Sequence, residues 1–135
     1  MNVGILIITH SGIGASIFGT ARFMIDDCPL NVKLLSANRE SDPDELLESA
    51  SILIKELDKG DGVLILTDLY GSTPSNIAHQ LDQYADVKVV TGLNLSMLIR
   101  VFNYAELGLT ELTEKAYSGG RDGITIDNDN GPDES

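Results

Sequence analysis

Hydrophobic and polar positions follow two different rhythms along this chain. Residues 3–8 run apolar and stop on Thr9 and His10, and Val63-Leu64-Ile65-Leu66-Thr67 runs apolar and stops on Asp68. Unbroken runs of this length, with β-branched residues through them, predict strands covered on both faces of a parallel sheet. Between the runs the period becomes helical. Ile13, Ile17, Ala21, Met24 and Ile25 recur on one face, predicting a buried stripe on a first helix that reaches about residue 26 and is ended by Cys28-Pro29.

The same alternation continues to the end. Val32-Lys33-Leu34-Leu35 predicts a short second strand. Asp42-Pro43-Asp44-Glu45 reads as a helix start, with an N-cap aspartate and proline at the first position. Leu46, Ala50, Leu53, Ile54 and Leu57 form that helix's apolar stripe, and Gly60 is placed to follow its last turn. Thr73 as N-cap and Pro74 after it open a third helix carrying Ile77, Ala78 and Leu81. Residues 87–91 predict a fourth strand, followed by a helix with Met97, Leu98, Val101 and Phe102 and a last helix over 110–117. Gly123-Ile124-Thr125-Ile126-Asp127 predicts a short final strand, at a sheet edge or a subunit contact. Strands alternating with helices predict an α/β fold: a three-layer, doubly wound, mainly parallel sheet with right-handed crossovers. An order of 2-1-3-4 sets the first and third strands side by side, with the winding reversing between them.

Composition narrows the classes. At 135 residues the chain is read as one domain over 1–127 with an acidic, disordered tail over 128–135. No apolar run reaches the roughly 18 residues of a membrane span, and the amino terminus lacks the basic region of a signal peptide. Cys28 is the single cysteine, which excludes an intrachain disulfide and a thiolate metal cluster and fits a reducing cytoplasm. The net charge of −12 argues against nucleic acid, whose binding needs lysines and arginines on phosphates. It favours basic partners only weakly. Asp127, Asp129, Asp133 and Glu134 supply part of the excess from the tail, and the charge serves solubility first.

In the order 2-1-3-4, His10 and Asp68 leave the carboxyl ends of neighbouring strands, about 4.8 Å apart. A carboxylate accepting from Nδ1–H fixes the imidazole tautomer and leaves Nε2 as the nucleophile. It also stabilises the cationic ring that exists once Nε2 has bonded to an electrophile. Helices opening near Gly12 and Thr73 aim unpaired N–H groups at the same crevice, which suits a phosphoryl group. Ser11, Gly12, Gly71, Ser72 and Thr73 are the candidate phosphate-pocket residues, and Tyr70 is a candidate for the pocket wall.

Each residue also has a plainer reading. A lone strand-end histidine is more often structural, Asp68 can cap a turn, and Gly12 and Gly14 can simply let the chain bend. The coincidence of two buried strands delivering polar residues to one crevice favours chemistry. His79 lies within the third helix and is read as a surface or half-buried residue without chemistry. Gly12-Ile13-Gly14-Ala15-Ser16-Ile17 lacks the third glycine of a dinucleotide fingerprint. There is no Walker lysine in a glycine loop, no G-x-S-x-G elbow around Ser72, and too few ligands for catalytic zinc. No metal or cofactor is expected.

Ile8-Thr9-His10 and Asp68-Leu69-Tyr70-Gly71-Ser72-Thr73-Pro74-Ser75-Asn76, with Thr91-Gly92-Leu93-Asn94-Leu95-Ser96-Met97-Leu98, resemble the enzyme IIA domain of the mannose-type bacterial sugar phosphotransferase system. The resemblance runs from the first residues to about Ile126, and the aspartate loop is its most specific part. It implies that His10 is phosphorylated, that Asp68 orients it, and that Thr73 supplies a pocket hydroxyl. It implies a phosphoryl donor, the histidine phosphocarrier protein, and a recipient IIB component that feeds a membrane sugar permease. It also implies a homodimer exchanging the strand over Ile124-Thr125-Ile126. The family often fuses IIA to IIB, whereas this sequence stops after a short acidic tail, so the IIB partner is expected on a separate chain. Two readings stand beside the transport role: a regulatory phospho-histidine module of an incomplete system, and the phosphocarrier subunit of a dihydroxyacetone kinase. A flavodoxin-like ligand-binding domain without phosphorylation is the plain alternative.

Overall fold

β1 (Gly4–His10) and β3 (Val63–Thr67) are the two apolar runs, and each is buried nearly throughout. The computed structural model describes residues 1–84 and 86–127. Around these strands the chain adds α1 (Ile13–Met24), β2 (Val32–Ala37), α2 (Pro43–Leu57), α3 (Thr73–Leu81), β4 (Val87–Thr91), α4 (Leu95–Asn103) and α5 (Leu109–Asp122). The four strands pair in the order β2-β1-β3-β4, and every pairing is parallel. The doubly wound α/β sheet read from the sequence is therefore the fold.

Strand alternation divides the core in two. Ile5, Ile7, Leu64 and Leu66 face α1, α4 and α5, with Met97, Leu98, Val101 and Leu112 among their neighbours. Leu6, Ile8, Val63 and Ile65 face α2 and α3, against Leu46, Ala50, Ile77, Ala78 and Leu81. Register then places the functional end: His10 is opposite Ala37, while β3 finishes with Thr67 opposite Ile8. β1 thus projects beyond β3, and the residue after Thr67 comes up beside that projection.

Several elements depart from expectation. α1 ends at Met24, and its inward face is Gly14, Ile17, Phe18, Ala21 and Ile25. Ile13 and Met24 flank that face and are 41% and 58% exposed. Phe18 fills the core position instead, edge-on to Phe102 at 6.3 Å. The α2 start is as read, with Asp42 accepting from the Asp44 N–H at 3.2 Å, but Asp58 is its C-cap and Gly60 lies beyond. α5 runs past the expected 110–117 to Asp122. Gly119 and Gly120 lower its intrinsic helicity, yet a Cβ on either would strike Arg100 or Met97 of α4. Close helix contact outweighs propensity there.

The expected final strand over 123–127 does not form within the single chain. Gly123 caps α5, and Ile124 and Ile126 are 75% and 71% exposed. A strand needs an edge to pair with, and these residues pair with none in one copy. The tail over 128–135 lies outside the described residues. Among the described residues no helix is long and apolar enough to cross a membrane.

The two glycines of α1 make opposite predictions. A Cβ on Gly14 would lie 2.9 Å from both Ile7 Cγ2 and Thr9 Oγ1, whereas one on Gly19 meets nothing within 4 Å. Gly14→Ala is expected to destabilise by about 1–3 kcal/mol through overpacking. Gly19→Ala is expected to stabilise by up to about 1 kcal/mol. Thermal unfolding followed by circular dichroism reads both signs.

Candidate active site

The end of β1 is fixed by hydrogen bonds that leave in three directions. Toward β2, the Ser11 N–H donates to the Ala37 carbonyl at 2.9 Å. Toward α1, the buried Thr9 hydroxyl accepts the Gly14 N–H at 2.8 Å and donates to the His10 carbonyl at 2.8 Å. That hydroxyl performs the cap of α1, because Gly12, the N-cap residue, has no side chain with which to do it. Gly12 sits at φ 89°, where glycine is favoured, and this lets the chain turn from strand into helix within two residues.

Toward β3, one oxygen does two jobs. Asp68 Oδ2 accepts the His10 backbone N–H at 3.1 Å and pairs with His10 Nδ1 at 2.8 Å. A carboxylate cannot donate, so the proton of the ring contact resides on Nδ1 and the neutral ring carries its lone pair on Nε2. The His10 side chain is 45% exposed while that of Asp68 is 9% exposed. The anchor is buried and the imidazole reaches solvent.

The phosphate-pocket candidates stand at the two helix starts beyond this edge. Ser11 and Gly12 make the β1–α1 turn, and Gly71, with φ 85°, makes the turn ahead of α3. Ser72, not Thr73, is the N-cap of α3. The reason is visible in the bonding: the Ser72 carbonyl accepts the Asn76 N–H at 2.8 Å, so the helical ladder begins one residue earlier than the sequence predicts. The Ser72 hydroxyl turns back to the Leu69 carbonyl. Thr73 is exposed in the first turn, and its hydroxyl makes no hydrogen bond to His10 or Asp68 among the described residues. Both helix starts carry backbone N–H groups without intrahelical partners, the basis of anion binding at such ends.

Other polar residues separate from the site. Tyr70 is largely exposed and meets His79 edge-on at 5.7 Å. His79 repeats part of the His10 pattern, with Nδ1 3.3 Å from Asp82 Oδ2, but both side chains are exposed and the pair sits in the last turn of α3. A helix carboxyl end repels an anion. Two contributors escaped the sequence reading. Thr9 looked like the end of a strand, and its capping role depends on a turn five residues long. Ser75 is fully buried in the first turn of α3; a serine three positions after a cap gives no signal of burial by itself.

Thr9→Val keeps the shape and removes the cap. It is expected to cost about 1 kcal/mol and to speed amide exchange at Gly14 and Ala15, whereas Thr9→Ser is expected to stay near the wild-type values. Hydrogen exchange followed by NMR distinguishes the two.

Comparison with known proteins identifies the family and the fold. The chain is 26% identical over 130 residues to the PTS system mannose-specific EIIAB component of Escherichia coli (strain K12), a match covering 92% of this chain and 39% of that relative. The mannose/sorbose-specific IIA subunit of the phosphotransferase system from Enterococcus faecalis superposes with a TM-score of 0.82 at 23% identity, covering 93% of this chain and 95% of the other. The phosphotransferase system component EIIA from Streptococcus agalactiae gives 0.75 at 25% identity, covering 92% and 96%. The family model EIIA-man, the PTS system fructose IIA component, matches residues 4–117, and the chain belongs to that family.

Proposed function

We propose that this protein is a IIA phosphocarrier of a phosphoenolpyruvate-dependent sugar phosphotransferase system, with His10 as the residue that carries the phosphoryl group. The observation that carries the reading is the His10–Asp68 pair, 2.8 Å long, anchored on the buried side and open on the other. Nε2 attacks the phosphorus of a donor phosphohistidine, the N–P bond of the donor breaks, and a new N–P bond forms on His10. The ring becomes cationic while it holds the group, and the Asp68 carboxylate stabilises the charge through Nδ1–H. Backbone N–H groups at the starts of α1 and α3 stabilise the phosphoryl oxygens. Attack by a nucleophile of the recipient reverses the sequence and restores the neutral ring.

The partners follow from this chemistry and from the family. The donor is the histidine phosphocarrier protein, and the recipient is a IIB component that serves a membrane sugar permease. The protein works in the cytoplasm, where those partners meet it. The chain spans 39% of the length of the EIIAB relative it matches, and the separate IIB recipient belongs to this proposal. A regulatory phospho-histidine module would use the same surface. It differs only in that the label does not pass on to a IIB protein.

Labelling from phosphoenolpyruvate and the general carriers tests the assignment. His10→Ala is expected to take no label, and His79→Ala is expected to label like wild type. Asp68→Asn is expected to label on the order of 10- to 100-fold more slowly, the loss of one charge-assisted hydrogen bond of roughly 1.5–3 kcal/mol. Label persisting in His10→Ala would sink the proposal. Release of label to a purified IIB protein decides transport over regulation.

The homodimer is proposed through exchange of residues 124–126. β4 is an edge of the sheet, and Ile124 and Ile126 are exposed and form no strand within their own chain. A partner's β4 would supply that edge. Ile126→Pro is expected to convert a dimer to a monomer in analytical ultracentrifugation; an unchanged dimer would refute the exchange.

A further inference from the structure

Among the described residues, two buried side-chain polar atoms have no hydrogen-bond partner: Asp68 Oδ1 and Ser75 Oγ. They are complementary. Asp68 Oδ1 belongs to a carboxylate that is 9% exposed and whose other oxygen already serves His10 twice. It can only accept. Ser75 is fully buried, and its hydroxyl can donate. Leaving a carboxylate oxygen buried and unbonded is costly, and so is leaving a hydroxyl. Both groups belong to one short unit, the end of β3 and the first turn of α3, joined by a turn that folds back through Ser72 and Leu69. α3 packs on β1 and β3, on the face whose strand parity includes His10.

We propose that Ser75 is a positioning residue for the phosphoryl-transfer site: its hydroxyl donates to Asp68 Oδ1, after rotation about χ1 or through one buried water. The inference rests on the phosphocarrier reading for its functional meaning, though the contact itself does not need it. With Oδ1 held, the carboxylate cannot swing about its Cβ–Cγ bond, and Oδ2 stays aimed at Nδ1. Ser75 touches no reacting atom. It acts on the ring through Asp68 alone, at one remove from Nε2.

Two readouts on Ser75→Ala test this. On the unphosphorylated protein, 15N NMR of the imidazole is expected to show the His10 Nδ1–H exchanging with solvent about threefold to tenfold faster. In single-turnover labelling the transfer rate is expected to fall by about threefold to tenfold, the size of one ordinary hydrogen bond. In an Asp68→Ala background the serine change is expected to add no further loss, because its only route to the ring is gone. Ser75→Cys, close in shape with a weak S–H donor, is expected to lie between serine and alanine. A buried hydroxyl that bonds nothing predicts the reverse: Ser75→Ala melts higher and leaves exchange and transfer unchanged, and that result overturns the proposal. Wild-type protein that takes no label would refute the phosphocarrier reading, while the NMR comparison would still decide the role of Ser75.

Discussion

The structure turns on a sheet hydrogen bond made by a side chain. β1 outruns β3, so the His10 N–H points at a position where β3 has no strand carbonyl left to offer. Asp68 Oδ2 occupies that position and accepts the bond at 3.1 Å. The parallel ladder is thereby continued by one rung, in which a carboxylate replaces a peptide carbonyl. The same oxygen receives the ring nitrogen of the same residue at 2.8 Å. Backbone and imidazole of His10 are referred to a single atom, and that atom stands on the strand next door. Orientation of the ring is therefore inherited from the sheet, whose central strands are the most buried part of the molecule.

The electrostatic setting divides by distance. The protein carries a net charge of −12, which would oppose the approach of the proposed phosphorylated donor from afar. At physiological ionic strength that field fades over about 8 Å. Within the crevice the nearer terms are the starts of α1 and α3, whose N–H groups present partial positive charge, and the Asp68 charge, which faces the ring and not the solvent. His79 shows the converse. Its pairing with Asp82 resembles the site, but it lies at the negative end of the same helix.

How much of this is legible in the sequence depends on the range of the interaction involved. The unbroken runs at β1 and β3 identify central strands because burial on both faces leaves no polar alternation, and setting those two strands side by side brings His10 and Asp68 to one end of the sheet. Positions set by contacts between distant segments are not legible. Ile13 and Met24 satisfy the helical period of α1, but Phe18 reaches Phe102 and so fixes which face turns inward. Gly119 and Gly120 look like a helix end and are instead a contact with α4. Asn94 caps α4 by accepting from the Met97 N–H, and its amide also donates to the Gly120 carbonyl, a tie between segments that no local pattern shows. The N-cap of α3 is Ser72 and not Thr73 because a ladder bond, not cap chemistry, decides where the helix begins.

The unequal exposure of the pair separates two tasks, holding the ring and leaving it reachable. Asp68 is 9% exposed and His10 45%. Burial strengthens the pull of the carboxylate on Nδ1–H, since less water screens it. Exposure leaves the imidazole open to solvent, as the proposed exchange with a macromolecular partner requires. Were both groups buried, no partner could reach the nitrogen. Were both exposed, water would compete for Oδ2 and the ring would turn freely about its χ angles. The cap of α1 by Thr9 and the bond from Ser11 to Ala37 brace the residues on either side of His10. The position of His10 is thus set by β1 and by the two strands paired with it, of which β3 is buried throughout.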